Sequence, residues 1–288
     1  MQTTSAAAQR GMQANATKLA EAQQRAQELQ KNLRLSDDPT AAADSMAVRA
    51  QQAAANQYGR NIIDGNNWLT LADNALGLSK SLMDRVQSLT LQAANGTMNA
   101  QSREAIAVEI DSIRSDLLGQ ANTQYLGRSI FAGNSDAGVA FVDGNPPTYT
   151  GTGSTVQRRI GTDTTVQVDA DGAKIFGEGA DSIFGLLSKI SDDLRSGADI
   201  SPNITAVNNA VNNMIGGRSE VGARQAELLR AKDSNDNAVV NLENQRSGIE
   251  DLDLGKAILD LQTQQLAYQA SLGVTAKVIQ PTLMDFLR

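Results

Sequence analysis

Apolar residues recur every seven positions at both ends of this 288-residue chain. Met12, Leu19, Ala26 and Leu33 hold one register, with Ala8, Ala22 and Leu29 four residues ahead of Met12, Ala26 and Leu33. Near the other end Val221, Leu228, Leu242 and Ile249 keep a second register, and Leu252, Leu259 and Leu266 continue it three residues out of step. A repeat of about 3.5 residues makes a narrow apolar seam along a helix, and such a seam needs a partner helix. Two terminal helices that need partners point to a protein that assembles.

The segment up to Leu33 is rich in good helix formers and predicts a helix. It ends at a joint over Ser36–Thr40, where Asp38 is placed to cap the next helix and Pro39 to occupy its first turn, since proline has no amide hydrogen to orphan there. Residues 41–94 predict an alanine-rich helix with Ile62, Leu69, Leu76 and Met83 at sevens, and with a kink or local irregularity near Gly59 and Asp64–Asn67. Asn95-Gly96 ends it. Asn99 caps a third helix that runs to about Tyr125, with Ile106, Ile110, Ile113 and Leu117 on one face.

After Gly127 the pattern changes to clustered turn residues around short alternating segments, Thr155–Ile160 and Thr164–Val168, which predict hairpin strands. Helix returns at about 180–195. After a cap at Ser201-Pro202 it continues to the C-terminus, with interruptions near Gly216-Gly217, Gly255, Gly273 and Pro281. The expected fold is therefore mainly α with a β-rich insertion: an elongated antiparallel helical rod formed by the N- and C-terminal segments, with a small β domain at its tip. The corresponding division is 1–40 with 246–288 as a terminal coiled-coil assembly region, 41–133 with 180–245 as a helical rod domain, and 134–179 as a β-rich outer insertion.

Composition agrees with thin layers. Only ten residues are aromatic, one Trp, four Tyr and five Phe, while 41% of the chain is apolar. The formal charge of -7 lacks the concentrated basic face that a nucleic-acid backbone demands. No run of eighteen apolar residues predicts a membrane span, and MQTTSAAAQRGM has neither the basic start nor the apolar run of a secretory signal. With no cysteine and no histidine there is no disulfide, no thiolate nucleophile, no Ser-His relay and no His or Cys metal ligand.

The remaining chemical candidates are weak. Asp169-Ala-Asp171-Gly172 opens like a calcium loop, but Ala173 and Ala180 stand where such a loop needs oxygen ligands, so a turn is expected. Gly151-Thr-Gly153 lacks the ending of a phosphate cradle. Asp37-Asp38, Asp192-Asp193 and Glu250-Asp251 fit caps and solvated helix faces better than acid-base pairs. Arg158-Arg159 reads as an exposed strand edge. Trp68 is expected to pack where two helices diverge. No catalytic, cofactor or metal site is expected. The run from Val278 to Leu287 is too apolar for a frayed end and should be buried against something.

Several motifs now stand in order. Ser36-Asp37-Asp38-Pro39-Thr40-Ala41-Ala42, Asn61–Gly65 through Ala72–Leu76, and Gln92–Thr97 resemble the N-terminal half of the flagellin superfamily. Gly222-Ala223-Arg224-Gln225 and Arg246–Asp251 resemble its returning rod helix. The proline-containing joint, Ser129–Gly133 and the ending Pro281–Arg288 resemble the hook-filament junction branch more than the filament flagellins, which stand as the alternative. The resemblance implies a non-enzymatic structural subunit of the bacterial flagellum, exported by the type III route without a cleavable signal. The implied partners are further copies of itself in a ring, the first hook-associated protein, flagellin and an export chaperone. No nucleic acid, membrane or cofactor is implied. The expected assembly interface is Met12, Leu19, Leu29, Leu33, Leu266, Leu272, Val278, Leu283, Phe286 and Leu287.

Overall fold

A computed structural model describes residues 2–31, 38–95 and 98–279. Helix α1 spans Gln2–Glu28, α2 Pro39–Ala94 and α3 Ala100–Ala121. Six short strands follow: β1 (Gln124–Tyr125), β2 (Arg128–Ser129), β3 (Phe141–Val142), β4 (Thr148–Tyr149), β5 (Gln157–Arg159) and β6 (Thr165–Gln167). They pair antiparallel as three two-stranded ladders, β1 with β2, β3 with β4 and β5 with β6. The short helix α4 (Gly172–Phe176) precedes α5 (Ile183–Ser196), α6 (Asn203–Glu250) and α7 (Leu254–Ile279). The chain is mainly helical, with long helices from both ends and small antiparallel strand pairs between them.

Two caps legible in the sequence form as expected. The Asp38 carboxylate accepts from the amides of Thr40 and Ala41 at 3.1 and 3.0 Å, with Pro39 opening α2. Asn99 accepts from the Ser102 amide at 2.8 Å and opens α3. Each gives an orphaned first-turn amide a partner.

The chain divides into two compact units, Met1–Ala54 with Ala238–Arg288, and Ala55–Asn237. In the second unit α2 and α6 run antiparallel. The ideal Cβ position at Gly65 lies 3.2 Å from Leu228, Gln225 donates to Thr70 at 3.1 Å, Arg218 pairs with Asp73 at 2.7 Å, and Gln87 donates to Asn208 at 2.6 Å. The apolar core gathers Ile62, Leu69, Leu76 and Met83 of α2 with Ile106, Ile110, Ile113 and Leu117 of α3. Leu187, Ile190 and Leu194 of α5 and Val207, Met214, Val221 and Leu228 of α6 complete the helical part. The scarce aromatic residues are concentrated where the insertion meets the helices. Phe131, Phe141, Phe176 and Phe184 are fully buried and pack ring to ring at 5.1 to 6.1 Å with mostly edge-on contacts.

Several sequence expectations are corrected. The helix is not interrupted at Gly59 or at Asp64–Asn67, because α2 is continuous. Gly65 serves close packing instead: an added Cβ would stand 2.9 Å from Val168 Cγ1. Gly216-Gly217 does not interrupt α6 either, and a Cβ at Gly217 would stand 2.6 Å from Ile175 Cγ1. Ser201-Pro202 forms a turn ahead of α6 rather than its first residues. Ser182 caps α5, so that helix starts at Ile183 after a 3₁₀ turn at Gly179–Asp181. Arg158 is not a free strand edge. It pairs with Asp64 at 2.6 Å and lies over Trp68, 5.8 Å from the ring centroid. Trp68 itself is buried, covered by Arg158 and by the Tyr125 ring at 5.5 Å. Asp171 caps α4, accepting from the amides of Ala173 and Lys174, while the buried Asp169 carboxylate accepts from the Val156 amide at 2.7 Å. Both carboxylates thus hold the loop together.

These close approaches set opposite outcomes for two glycine substitutions in α6. Gly217→Ala is expected to destabilise the protein by about 1–3 kcal/mol, because overpacking against Ile175 exceeds the gain in helix propensity. Gly222→Ala, with open space around it, is expected to stabilise it by up to about 1 kcal/mol. Denaturant midpoints of the two variants check the contrast.

Candidate assembly surface

The terminal unit is built on the pairing of α1 with α7. Along α1 the less exposed positions include Ala8, Met12, Asn15, Leu19, Ala22 and Ala26, spaced alternately by four and three residues, with Ala16, Glu21 and Arg25 beside them. That is the seam of a two-helix coiled coil. Along α7 the same spacing picks out Ala257, Leu261, Gln264, Tyr268, Ser271 and Thr275. The two helices are antiparallel: Gln30 and Asp251 form an antiparallel bridge where α1 ends and α7 begins, and the chains run away from it in opposite directions. The Lys31 amide donates to the Glu250 carbonyl at 2.9 Å, and the Leu252 amide to the Leu29 carbonyl at 3.0 Å. Leu29 adopts a φ of 56°, which turns the chain out of α1.

The α7 seam differs from the one expected. Leu259 and Leu266 lie outside it, and apart from Leu261 and Tyr268 the positions facing α1 are small or polar. Counting the largest apolar residues finds the wrong stripe, because the α1 partner is itself mostly Ala and Asn at these positions and admits small groups at close range. The helix break also falls elsewhere than Gly255. Asp253 accepts from the amides of Gly255 and Lys256 at 2.9 and 3.2 Å and so caps α7. Gly273 lies inside the helix without breaking it.

The consequence is an apolar surface on the sides of α7 that α1 does not cover. Leu254, Ile258, Leu259, Leu266, Leu272 and Val274 are all exposed, Leu266 at 69%. Among the expected interface residues, Leu266 and Leu272 belong to this surface, Leu29 is exposed at the end of α1, and Met12 and Leu19 are half-buried in the α1 seam. Leu33, Leu283, Phe286 and Leu287, and the side chain of Val278, lie outside the described residues. Leu254, Ile258 and Val274 were missed in sequence; a helical wheel of residues 254–274 carries the signal, since apolar residues occupy more than one stripe.

A polar cluster fixes the base of the pair. Glu250, at the last turn of α6, accepts from Arg49 Nε and Nη2 at 2.7 and 2.9 Å, from Arg246 at 3.2 Å and from the Ser45 hydroxyl. Gln52 donates to Glu243 at 2.9 Å beside it, and Arg246 pairs with Glu243. The hydrogen bond from Arg49 is the main reason that the Glu250 carboxyl is held down at about 2. Its carbonyl receives the Lys31 amide, so one residue ties α2, α6 and the exit from α1 together.

Two matches decide the family. The model of the bacterial flagellin N-terminal helical region matches residues 1–136, and that of the C-terminal helical region matches residues 204–287. The chain belongs to the bacterial flagellin family. It is 26% identical over 262 residues to flagellar hook-associated protein 3 of Salmonella typhimurium, covering 82% of each chain. It is also 26% identical over 252 residues to flagellin of Halalkalibacterium halodurans, covering 86% of this chain and 83% of that one. The crystal structure of Bacillus cereus FlgL superposes with a TM-score of 0.60 at 25% identity, covering 70% of this chain and 99% of that one. As a flagellin-family member the chain is a structural component of flagella and not an enzyme. No helix among the described residues is long and apolar enough to cross a membrane.

The Glu250 cluster gives this flagellin-family chain an acid-sensitive joint. A carboxyl held below its ordinary range contributes stability that is fully present above about pH 4.5 and is lost as the pH falls toward 2. Glu250→Gln is expected to cost the terminal unit about 1–2 kcal/mol at pH 7, with Arg49 largely exposed and its pairing partly screened, and far less near pH 2. Amide exchange at Lys31 and Leu252, whose hydrogen bonds close the joint, reads the loss directly.

Proposed function

We propose that this chain is the subunit that joins the flagellar hook to the filament, assembling with further copies of itself through its terminal helices. The apolar sides of α7 carry this reading. Leu254, Ile258, Leu259, Leu266 and Leu272 offer surface that α1 leaves in water, and assembly removes it from water at about 25 cal/mol per Å². In this reading the subunits form a ring that contacts the first hook-associated protein on one side and flagellin on the other. An export chaperone covers the apolar end before secretion, and the chain leaves the cell by the type III route without a cleavable signal. The division into terminal assembly segments, a helical rod and an outer insertion belongs to the same proposal. Support for the junction over other flagellar positions comes from the hook-associated protein 3 relatives, the FlgL structures and the Pro281–Arg288 ending.

The second reading is a filament flagellin, which the relatives of that name at comparable identity favour. The two separate in a deletion strain. A junction subunit leaves hooks without filaments when it is absent, visible by electron microscopy, with flagellin released into the medium. A filament subunit polymerises alone into long filaments after purification. If the deletion strain kept normal filaments, the junction reading would be wrong. Within it, Ile258→Gln combined with Leu266→Gln is expected to reduce attachment to the hook by tenfold or more while the isolated chain keeps its helical circular dichroism. Removal of residues 272–288 is expected to abolish attachment.

A further inference from the structure

Leu126 has the highest exposure of any large apolar side chain in the described residues, 83%, and it sits where leucine is least at home. It occupies the first central position of the two-residue β1–β2 turn with a φ of 50°, followed by Gly127 at 79°. A turn with both central residues left-handed favours Asn, Asp or Gly there, since a bulky side chain crowds its own backbone. The support beneath it is firm. The Tyr125 ring packs on the buried Trp68 and its hydroxyl donates to Asp64 at 3.2 Å, while Arg128 donates to Asn134 at 2.5 Å. The fold therefore holds an apolar knob out in water, on strained backbone, at a fixed place.

The same unit contains a hollow of fitting chemistry. A cleft of about 660 Å³ between α5 and α6 has Leu186, Ala206 and Ala210 in its lining, with Asp181 and Asp192 outnumbering Lys189. The apolar part of this mixed lining, which also holds Asn203, Asn209 and Asn213, and its acidic excess complement an exposed leucine flanked by Arg128. Knob and cleft cannot meet within one chain. The hairpin rests through Tyr125 and Asp64 at the level of Gly65 and Leu228, whereas the cleft lies near Ala210, roughly 27 Å away along α6 at 1.5 Å per residue.

We infer that the β1–β2 turn of one copy seats in the α5–α6 cleft of a second copy, Leu126 against Leu186, Ala206 and Ala210 and Arg128 toward Asp181 and Asp192. This contact rests on the assembly reading above and adds a second attachment point to it. A knob and a hole at different places on one surface make a head-to-tail contact, which repeats from subunit to subunit and closes into a ring or winds into a helix.

The chain contains no cysteine, so a pair of introduced thiols reports this contact without background. Flagella are sheared from a deletion strain that produces Leu126→Cys with Asn209→Cys in one chain, oxidised, and run on a non-reducing gel probed for the chain. A ladder of cross-linked oligomers is expected, with each single variant remaining monomeric. A Leu126→Cys chain that forms dimers on its own overturns the cleft as the seat. Monomer alone from the double variant, where the wild-type chain is present in sheared flagella, overturns the contact. Absence of even the wild-type chain from the flagella overturns the assembly reading itself. Leu126→Asn guards against a folding artefact: the isolated chain is expected to melt at the same temperature or a degree or two higher, because the turn strain is relieved, while its incorporation falls at least threefold. Wild-type incorporation of Leu126→Asn also overturns the contact.

Discussion

The antiparallel pairing of α2 with α6 is the interaction on which the second unit depends. Its polar pairs, Gln225 with Thr70, Arg218 with Asp73 and Gln87 with Asn208, set the register, and its glycines let side chains sink close to the partner backbone. Everything between the two helices is then a closed excursion. The chain leaves on α3, passes through the three strand pairs, and returns on α5, which packs back on α3 through Arg195 with Asp111 and Ser191 with the Ala107 carbonyl. A two-residue ladder has little stability alone. The short strands persist because Phe141, Val166 and Val168 are buried in the core that the helices provide.

The terminal unit is held by a different balance. Its seam is made of Ala, Asn, Ser, Thr and Gln alongside a few larger residues, so packing contributes less per helical turn than in the second unit. Charged hydrogen bonds at Glu250 and backbone contacts at Leu29 and Lys31 supply definition where apolar contact is thin. Most of the larger apolar side chains of α7 are left exposed. A strong intramolecular seam would have consumed them.

Much of this architecture was legible in the residues. Heptads at both ends announced paired helices, Asp38-Pro39 and Asn99 announced helix starts, and the turn-rich middle announced short strands. The failures have a common cause. Asp64–Asn67 and Gly216-Gly217 looked like weak points because local propensity disfavours glycine in helices, yet tertiary packing overrides a penalty of about 1 kcal/mol when the missing Cβ makes room for Val168 or Ile175. Arg158 looked like a surface charge because its partners, Asp64 and Trp68, lie about ninety residues away. The α7 seam was misplaced because Leu259 and Leu266 lie off the side of α7 that packs on α1. The Glu250 cluster escaped notice because its parts come from three separate segments, and only the Glu243, Arg246 and Glu250 spacing on α6 hinted at it.

The nested connectivity also fixes a timetable. Helix α1 leaves the ribosome before α7, with residues 29–253 translated between them. Throughout that interval α1 lacks its α7 partner, and the joint at Glu250 cannot close. The second unit has all its elements by the time Asn237 is made. A chain made only as far as Asn237 therefore holds its own middle together while α1 still waits for α7.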